Sequence, residues 1–503
     1  MPQVPPPLIA ALLETKRYPD PATCVELVET HASWLLLAGA FAYKVKKPVT
    51  LPFLDYGTLS KRQACCDAEL RLNRRFAPDL YLQVVPITGT ATDPQVGGSG
   101  KAIEFAVKMR RFAEAGRLDH LCTRGQLHAK QMSALAATIA EFHEQAAIAP
   151  ANTHFGEPEQ VLAPALANFA ELATLLPGGK EQARLIALAE WTRSEFERLA
   201  PRFAARKAAG RVRECHGDLH LGNLVLIDGS VRLFDCIEFS ADLRWIDVAS
   251  EIAFTFIDLL DHDQPGLAAW LVNEWLSCSG DYDAVQVLRF YAVYRALVRA
   301  KIAALRGTQT SSDGDHARHY LALAERLAKP PLARLIITHG VAGCGKSRAA
   351  RRVLLHDPAA ATLRVRSDVE RKRLFDLDAA ARSGSPVGGG IYARNASERT
   401  YRRLYELAHE LLAANWSLIV DAAFLERAQR DSFRALAAQM GVAFFIIAPQ
   451  ARPAVLRARI RGRLRKGHDA SEATLAVLVQ QQARIEALGA DERDCLLRSA
   501  AGS

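Results

Sequence analysis

The sequence predicts two units of different class: an α+β unit with two lobes over residues 1–330, then an α/β unit with a parallel sheet over residues 333–503. Three observations carry this. Short strands around one helix give way, after about residue 115, to long amphipathic helices. Lys329, Pro330 and Pro331 then interrupt the chain, because proline lacks the N–H that a continuing helix needs. Beyond them four apolar runs, LIIT, TLRVRS, SLIVDA and AFFIIAP, alternate with helical stretches, the order a parallel sheet requires. A length of 503 residues, with a prior of roughly three domains, also argues against a single core.

In chain order, residues 25–28, 33–37 and 42–45 read as strands, with Gly39 turning the second into the third. KRQACCDAELRLNRRF, from 61, has helical spacing of apolar positions. LYLQVVPI and, after the turn at 97–100, AIEFAVKMRRF are strand-like and complete a small lobe over about 20–115. Residues 128–147 and 181–206 are amphipathic helix candidates within a helical lobe of about 116–330, and the polar RGTQTSSDGDHAR at 306–318 reads as an exposed loop.

Composition narrows the class of protein. With 50% hydrophobic and 24% charged residues the chain is an ordinary globular one. Its net charge of +9 is unevenly held: residues 332–503 carry 28 Lys+Arg against 17 Asp+Glu (+11), and the first 331 carry 36 against 38 (−2). The basic character therefore belongs to the second unit, and it raises nucleic acid or phosphorylated metabolites as partners without choosing between them. Nine cysteines without a CxxC pair give no disulfide or zinc framework. The apolar run near the N-terminus is too short for a signal peptide core, and no run reaches the roughly 18 to 20 apolar residues of a membrane span, so a cytoplasmic location is expected.

The first chemical constellation is CHGDLHLGNLVLIDGSVRLFDCIEF. Two strand-like runs flank Asp228 and Gly229, a hairpin signal, which brings Asn223 at the start of one near Asp235 at the end of the other. An amide oxygen and a carboxylate suit a divalent cation held against nucleotide phosphates, and Asp218 is placed to accept a hydroxyl proton. This segment resembles the catalytic loop of the aminoglycoside phosphotransferase family, relatives of the protein kinases, whose signature is H-G-D-x-H-x-x-N with a later metal-binding Asp. By that resemblance, which covers about residues 20–330, the fold is bilobal and protein-kinase-like. Asp218 is then the catalytic base, Asn223 and Asp235 hold Mg2+, and His216 and His220 shape the loop. A kinase-like lobe should also supply a strand lysine for the phosphates and a helix glutamate to orient it. Lys44 and Glu69 are the candidates, with Lys46 as the fallback because it shares the strand face of Lys44. VKMRRF falls at the place of the hinge that would receive adenine. THASWLLLAGAF has no G-x-G-x-x-G loop, a departure from the protein-kinase pattern. Glu238, Asp242, Asp247, Glu251 and Asp258 are either acceptor-pocket acids or helix caps, and Asp247 suits a supporting role best.

The second constellation is LIITHGVAGCGKS, a strand followed by G-x-x-x-x-G-K-S at 340–347 and a helix candidate. In this context Gly340, Gly343, Cys344 and Gly345 turn backbone N–H groups toward phosphates, Lys346 reaches the β/γ-phosphates and the Ser347 hydroxyl binds Mg2+. The next strand ends at Asp368, with Arg371 one turn on, and the third ends at Asp421, all at the carboxyl edge where open α/β sheets bind ligands. The arrangement resembles small P-loop kinases of the AAA_33, zeta-toxin and polynucleotide-kinase-like kind. There, Asp368 would activate the acceptor hydroxyl and Arg371 would bind the acceptor. Asp421 is either an acid that helps hold Mg2+ through water or a substrate contact. The arginine-rich run at about 455–475, breaking near Gly467, resembles their lid, with Arg459 and Arg463 on one helix face gripping phosphate. This resemblance covers about residues 333–490.

The whole order resembles a bacterial family of such fusions, and implies an ATP- and Mg2+-dependent phosphotransferase with two kinase-type sites and an unidentified small-molecule hydroxyl acceptor. Two alternatives stand beside it: the P-loop half phosphorylates nucleic-acid ends, or one unit is a nucleotide-binding regulatory module. Few stacking aromatics in residues 332–503 argue against a nucleic-acid surface.

Overall fold

The structure is a computed structural model, and it describes residues 5–51, 54–307, 311–379, 381–386, 388–466 and 470–497. Two compact units result, neither of them continuous in sequence. One comprises Met1–Leu127, Glu141–Ala163 and Phe203–Asp258; the other comprises His128–Ala140, Pro164–Arg202 and Leu259–Ser503.

A six-stranded antiparallel sheet organises the first unit, in the order Val25–Glu29, Ser33–Ala38, Phe41–Lys46, Ala102–Arg110, Tyr81–Gly89, Pro94–Val96. The period of two decides which side chains meet which neighbours. Along Phe41–Lys46, Tyr43 and Val45 join Leu36, Val85, Ile87 and Ala106 in one core. Lys44 and Lys46 therefore point to the opposite face, where the helix Leu59–Asn73 carries Glu69. That helix starts where Thr58 Oγ1 accepts the Lys61 N–H, and its Cys66 packs with Leu80, Tyr81 and Val107. Further on, Leu224–Ile227 pairs with Ser230–Leu233, and Asp228 (φ 50°) and Gly229 (φ 78°) give the left-handed pair that a tight two-residue hairpin needs.

In the second unit a four-stranded parallel sheet runs in the order Thr362–Arg366, Ser417–Asp421, Arg334–Thr338, Ala443–Ile447. The two central strands are the most deeply buried, which explains their near-continuous apolar sequences. The edge strand is not left bare: Asn273, on the helix Pro265–Ser279, donates to Thr362 O at 3.1 Å and accepts the Arg364 N–H at 2.5 Å. Gly266 lets the same helix approach Leu355 O, where a Cβ would lie only 2.0 Å away. Trp416 Nε1 donates to Val285 O at 3.1 Å, so the helix Ala284–Gly307 packs here as well.

Of the stretch expected to be a loop at 306–318, residues 306–307 and 311–318 are helical, and 308–310 lie outside the described residues. Ser311–Ala328 is helical because Ala317, Tyr320, Leu321 and Ala324 recur at helical spacing and are buried, and its first turns carry the polar run that ends at 318. Among the described residues no helix is long and apolar enough to cross a membrane.

Candidate functional site

In the first unit the strand and helix expectations converge on one buried cluster. Lys44 Nζ donates to Glu69 Oε1 at 3.0 Å and also to Asp235; Lys46 Nζ donates to Glu69 Oε2 at 2.7 Å and to Glu238, whose carboxylate accepts the Tyr56 hydroxyl too. Both lysines thus share one glutamate. They differ in exposure: the Lys46 side chain is 1% exposed and the Lys44 side chain 15%, beside an Asp235 that is 43% exposed. Burial disfavours the Lys44 ammonium, but the carboxylates of Asp235 and Glu69 outweigh it and hold its pKa well above the ordinary lysine value. Burial likewise opposes ionised Glu69, and the two ammonium groups win, keeping it a carboxylate.

The residues of the H-G-D loop are fixed by the backbone. Gly217 has φ 87° and admits no Cβ, since one would meet Leu243 O at 2.6 Å. Asn223 Nδ2 donates to Asp218 O at 3.0 Å and Oδ2 at 3.2 Å, which leaves the Asn223 carbonyl oxygen for another partner. Phe234 N–H bonds Asn223 O at 3.0 Å, so Asp235 follows immediately beside Asn223, with a left-handed φ of 63° and its N–H on the Tyr81 hydroxyl. His216 Nε2 lies 2.8 Å from Phe234 O and its Nδ1 faces the Asp218 N–H, an arrangement that suits the neutral ring; burial lowers its pKa further. Glu251 accepts the N–H groups of His216 and Gly217, each at 2.8 Å, and Asp258 accepts that of Leu221 at 2.7 Å.

The five acids with two readings are now placed. Glu251 and Asp258 hold the loop, Glu238 pairs with Lys46, and Asp247 grips Arg206 at 2.7 and 2.8 Å while capping Ala249 N. Asp242 is on the surface with His154.

The second unit builds its site at the carboxyl edge of the parallel sheet. Gly340, Gly343 and Gly345 take φ of 134°, 80° and 109°, conformations that side chains rarely adopt, so the glycines of the motif are needed where they stand. Lys346 and Ser347 open the helix Lys346–Leu355, and Lys346 Nζ donates to Gly340 O (2.7 Å) and Val341 O (2.9 Å). Cys344 is buried beside Leu456 and Ile460, which belong to the arginine-rich helix Pro453–Lys466. From that helix Arg459 donates to Gly343 O (3.1 Å) and Cys344 O (3.2 Å), and Arg463 to Ala473 O (3.0 Å). Gly467 itself lies outside the described residues.

Asp368, Arg371 and Asp421 line the same cavity of about 410 Å³ as Lys346, Ser347, Arg459 and Arg463. Asp421 is clamped by Arg364 Nε at 3.1 Å, and that cation outweighs burial to hold its pKa below the usual carboxylate value. Arg371 is buried, bonds Ile391 O and Ser397 Oγ, stacks on Tyr392, and keeps a buried Nε without a hydrogen-bond partner among the described residues. Cavity-lining cations, Lys346 with Arg348, Arg366, Arg371, Arg459, Arg463 and Arg484, outnumber Asp368, Asp421, Glu426 and Glu472. Such a field suits a polyphosphate.

Sequence reasoning misses two participants. Glu238 reads only as a pocket acid or a cap, because its lysine partner is 192 residues away. Gln481, whose Oε1 accepts the Ala342 N–H at 2.7 Å, sits in a run of three glutamines that reads as helix surface.

The strand lysine, helix glutamate and following loop define a bilobal kinase-like fold, joined to a P-loop domain. Residues 335–488 match the AAA domain family AAA_33. Across 480 residues, 93% of each chain, the protein is 30% identical to the uncharacterized protein Rv2004c of Mycobacterium tuberculosis (strain ATCC 25618 / H37Rv). It is 30% identical over the same span to the uncharacterized protein Mb2027c of Mycobacterium bovis, and it belongs to the family of these proteins. Among solved structures, a choline kinase from Cryptosporidium parvum Iowa II is 11% identical with a TM-score of 0.41, covering 63% of this chain and 95% of that one. An amicoumacin kinase in complex with AMP-PNP, Ca2+ and Ami is 12% identical with a TM-score of 0.40, covering 64% and 91%.

Proposed function

We propose that the chain is an ATP-dependent phosphotransferase with two kinase-type sites, each moving the γ-phosphoryl group of ATP to a hydroxyl of a small molecule. The observation that carries this reading is that Lys44 bridges Asp235 and Glu69 while Asn223 donates to Asp218. These contacts support Lys44 as the phosphate-binding cation, Asn223 and Asp235 as oxygen ligands and Asp218 as the base. In the first site Lys44 binds the phosphates, Glu69 orients it, and Asp218 accepts the hydroxyl proton as the new O–P bond forms and ADP leaves. In the second, Lys346, the 340–345 loop amides and Arg459 and Arg463 grip the triphosphate, Asp368 is the base, and Arg371 holds the acceptor. The donors of Asn223, Asp235 and Ser347 are all oxygens, which fits Mg2+, and that ion would neutralise charge on the phosphates. Asp421 supports the second site as a metal or substrate contact. The boundary we favour between the two activities is near 330, and ATP supply suits a cytoplasmic location.

Following labelled γ-phosphate from ATP into metabolite, aminoglycoside and nucleic-acid pools tests this in wild type, Asp218→Ala and Lys346→Ala. Each variant should lose a distinct set of products. Should neither lower any transfer, the reading is wrong; loss of products in only one variant leaves the other unit as a nucleotide-binding regulatory module.

A nucleic-acid end kinase in the second unit is favoured by one observation, the exposed Arg457, Arg461 and Arg465 at four-residue spacing outside the cavity. Labelling of a 5′-hydroxyl oligonucleotide that depends on Lys346 decides for it.

A further inference from the structure

The helix Leu475–Arg484 is docked onto the phosphate loop. Its Leu478 packs with Val341, Ala342, Cys344, Leu456 and Ile460, and Gln481, three residues on, shares that face. Gln481 Oε1 accepts the Ala342 N–H at 2.7 Å. A backbone N–H only donates, so the amide oxygen must be the atom facing it, and the orientation of the side chain is settled by chemistry. The amide NH2 of Gln481 has no hydrogen-bond partner among the described residues and is left to donate elsewhere. Gln481 lines the 410 Å³ cavity. Lys346 marks which part of the nucleotide lies there: its ammonium, the group that reaches the β/γ-phosphates, rests on Gly340 O and Val341 O, next to Ala342 in the chain.

From this we infer that Gln481 binds the terminal phosphate of ATP, its oxygen locked on the loop and its NH2 donating to a γ-phosphate oxygen. The inference rests on the reading of residues 340–347 as an ATP site. It makes Gln481 a residue that distinguishes ATP from ADP, because only ATP offers the acceptor.

The test uses the full chain with Lys44→Ala to silence the first site, and compares affinities for Mg2+-bound ATP and ADP by calorimetry. Gln481→Glu keeps an oxygen for the Ala342 N–H but replaces the donor with a negative charge; Gln481→Ala removes both. For the glutamate variant ATP should weaken about tenfold or more relative to ADP, the loss expected for a hydrogen bond to a charged group. The alanine variant should shift the ratio in the same direction. Equal weakening of ATP and ADP would show that Gln481 only anchors the loop, and unchanged affinities would show no role; either result overturns the inference. Thermal midpoints check folding, and the glutamate variant serves if the alanine one does not fold. If the Lys44→Ala chain with Gln481 intact binds neither nucleotide, the ATP reading of the second site fails first, whatever any change at Gln481 does.

Discussion

Lys46 and Glu69 form a buried ion pair of 2.7 Å, with 1% and 0% of their side chains exposed, two strand positions beyond the pair that Lys44 makes with the same carboxylate. The two lysines therefore divide two tasks. Lys44 faces the half-exposed Asp235, where a phosphate can reach it, whereas Lys46 is enclosed with Glu238 and Tyr56. Lys44→Met should lower phosphoryl transfer by the first site with little change in thermal midpoint. Lys46→Met should leave Glu238 buried without its cation and Glu69 with Lys44 alone, and destabilise the unit by about 3–5 kcal/mol. Urea unfolding alongside transfer assays separates the two outcomes; equal loss of stability in both variants would contradict the division.

Acid should destabilise the first unit through His216 and Glu251. Burial depresses the His216 pKa below its ordinary 6.5, so the unfolded state takes up a proton more readily. Its contribution is present above pH 6.5 and is lost as pH falls from there toward the lowered folded value. Glu251 is buried, yet His143, 3.7 Å from its carboxylate, and the His216 N–H that it accepts hold it below the ordinary carboxylate value of 4.5, so its contribution is lost in the same direction at lower pH. Thermal midpoints measured from about pH 7.5 to about 2.5 should fall in two stages. His216→Asn should flatten the first stage, and a chain whose midpoint rises on acidification would refute the assignment.

Asn273 closes the exposed edge of the parallel sheet with two hydrogen bonds to strand backbone. Removing its amide strands the Arg364 N–H and Thr362 carbonyl in a buried place, which costs about 1–3 kcal/mol for each group left unsatisfied. Asn273→Ala should therefore lower the midpoint of the second unit and speed amide exchange along 362–366. Asn273→Asp keeps the acceptor for Arg364 and should lose less; an alanine variant as stable as wild type would show that the edge is held by packing alone.

Both motifs are legible in the sequence because their chemistry is local. The glycines, Lys346 and Ser347 lie within eight residues, and Asp218, Asn223 and Asp235 are linked by a hairpin whose Asp228–Gly229 turn is itself in the sequence. Lys44 and Lys46 cannot be ranked that way, since period two puts them on one face and only the approach of Glu238 and Tyr56 from elsewhere buries one more than the other. Helix Ser311–Ala328 is masked by its polar first turns, and the service of Asn273 to the sheet needs a partner almost ninety residues on. What escapes a linear reading is the side chain whose partner is distant in the chain.

Asp421 and Arg364 offer a way to decide what the third strand end does. Their side chains are 5% and 8% exposed, so removing either leaves the other charge buried and should cost about 3–5 kcal/mol, while replacing both with apolar residues should cost much less. A double-mutant cycle with Asp421→Leu and Arg364→Leu measures that coupling in urea. Activity separates the roles that stability leaves joined. If Asp421 serves only to neutralise Arg364, the double variant should regain transfer by the second site together with stability. If its carboxylate also acts on the bound nucleotide or acceptor, stability should return and transfer should not. We expect the second outcome, because Asp421 lines the cavity with Lys346 and Ser347, and Lys346 is among the charges that keep it ionised. Full recovery of transfer in the double variant would remove Asp421 from the site.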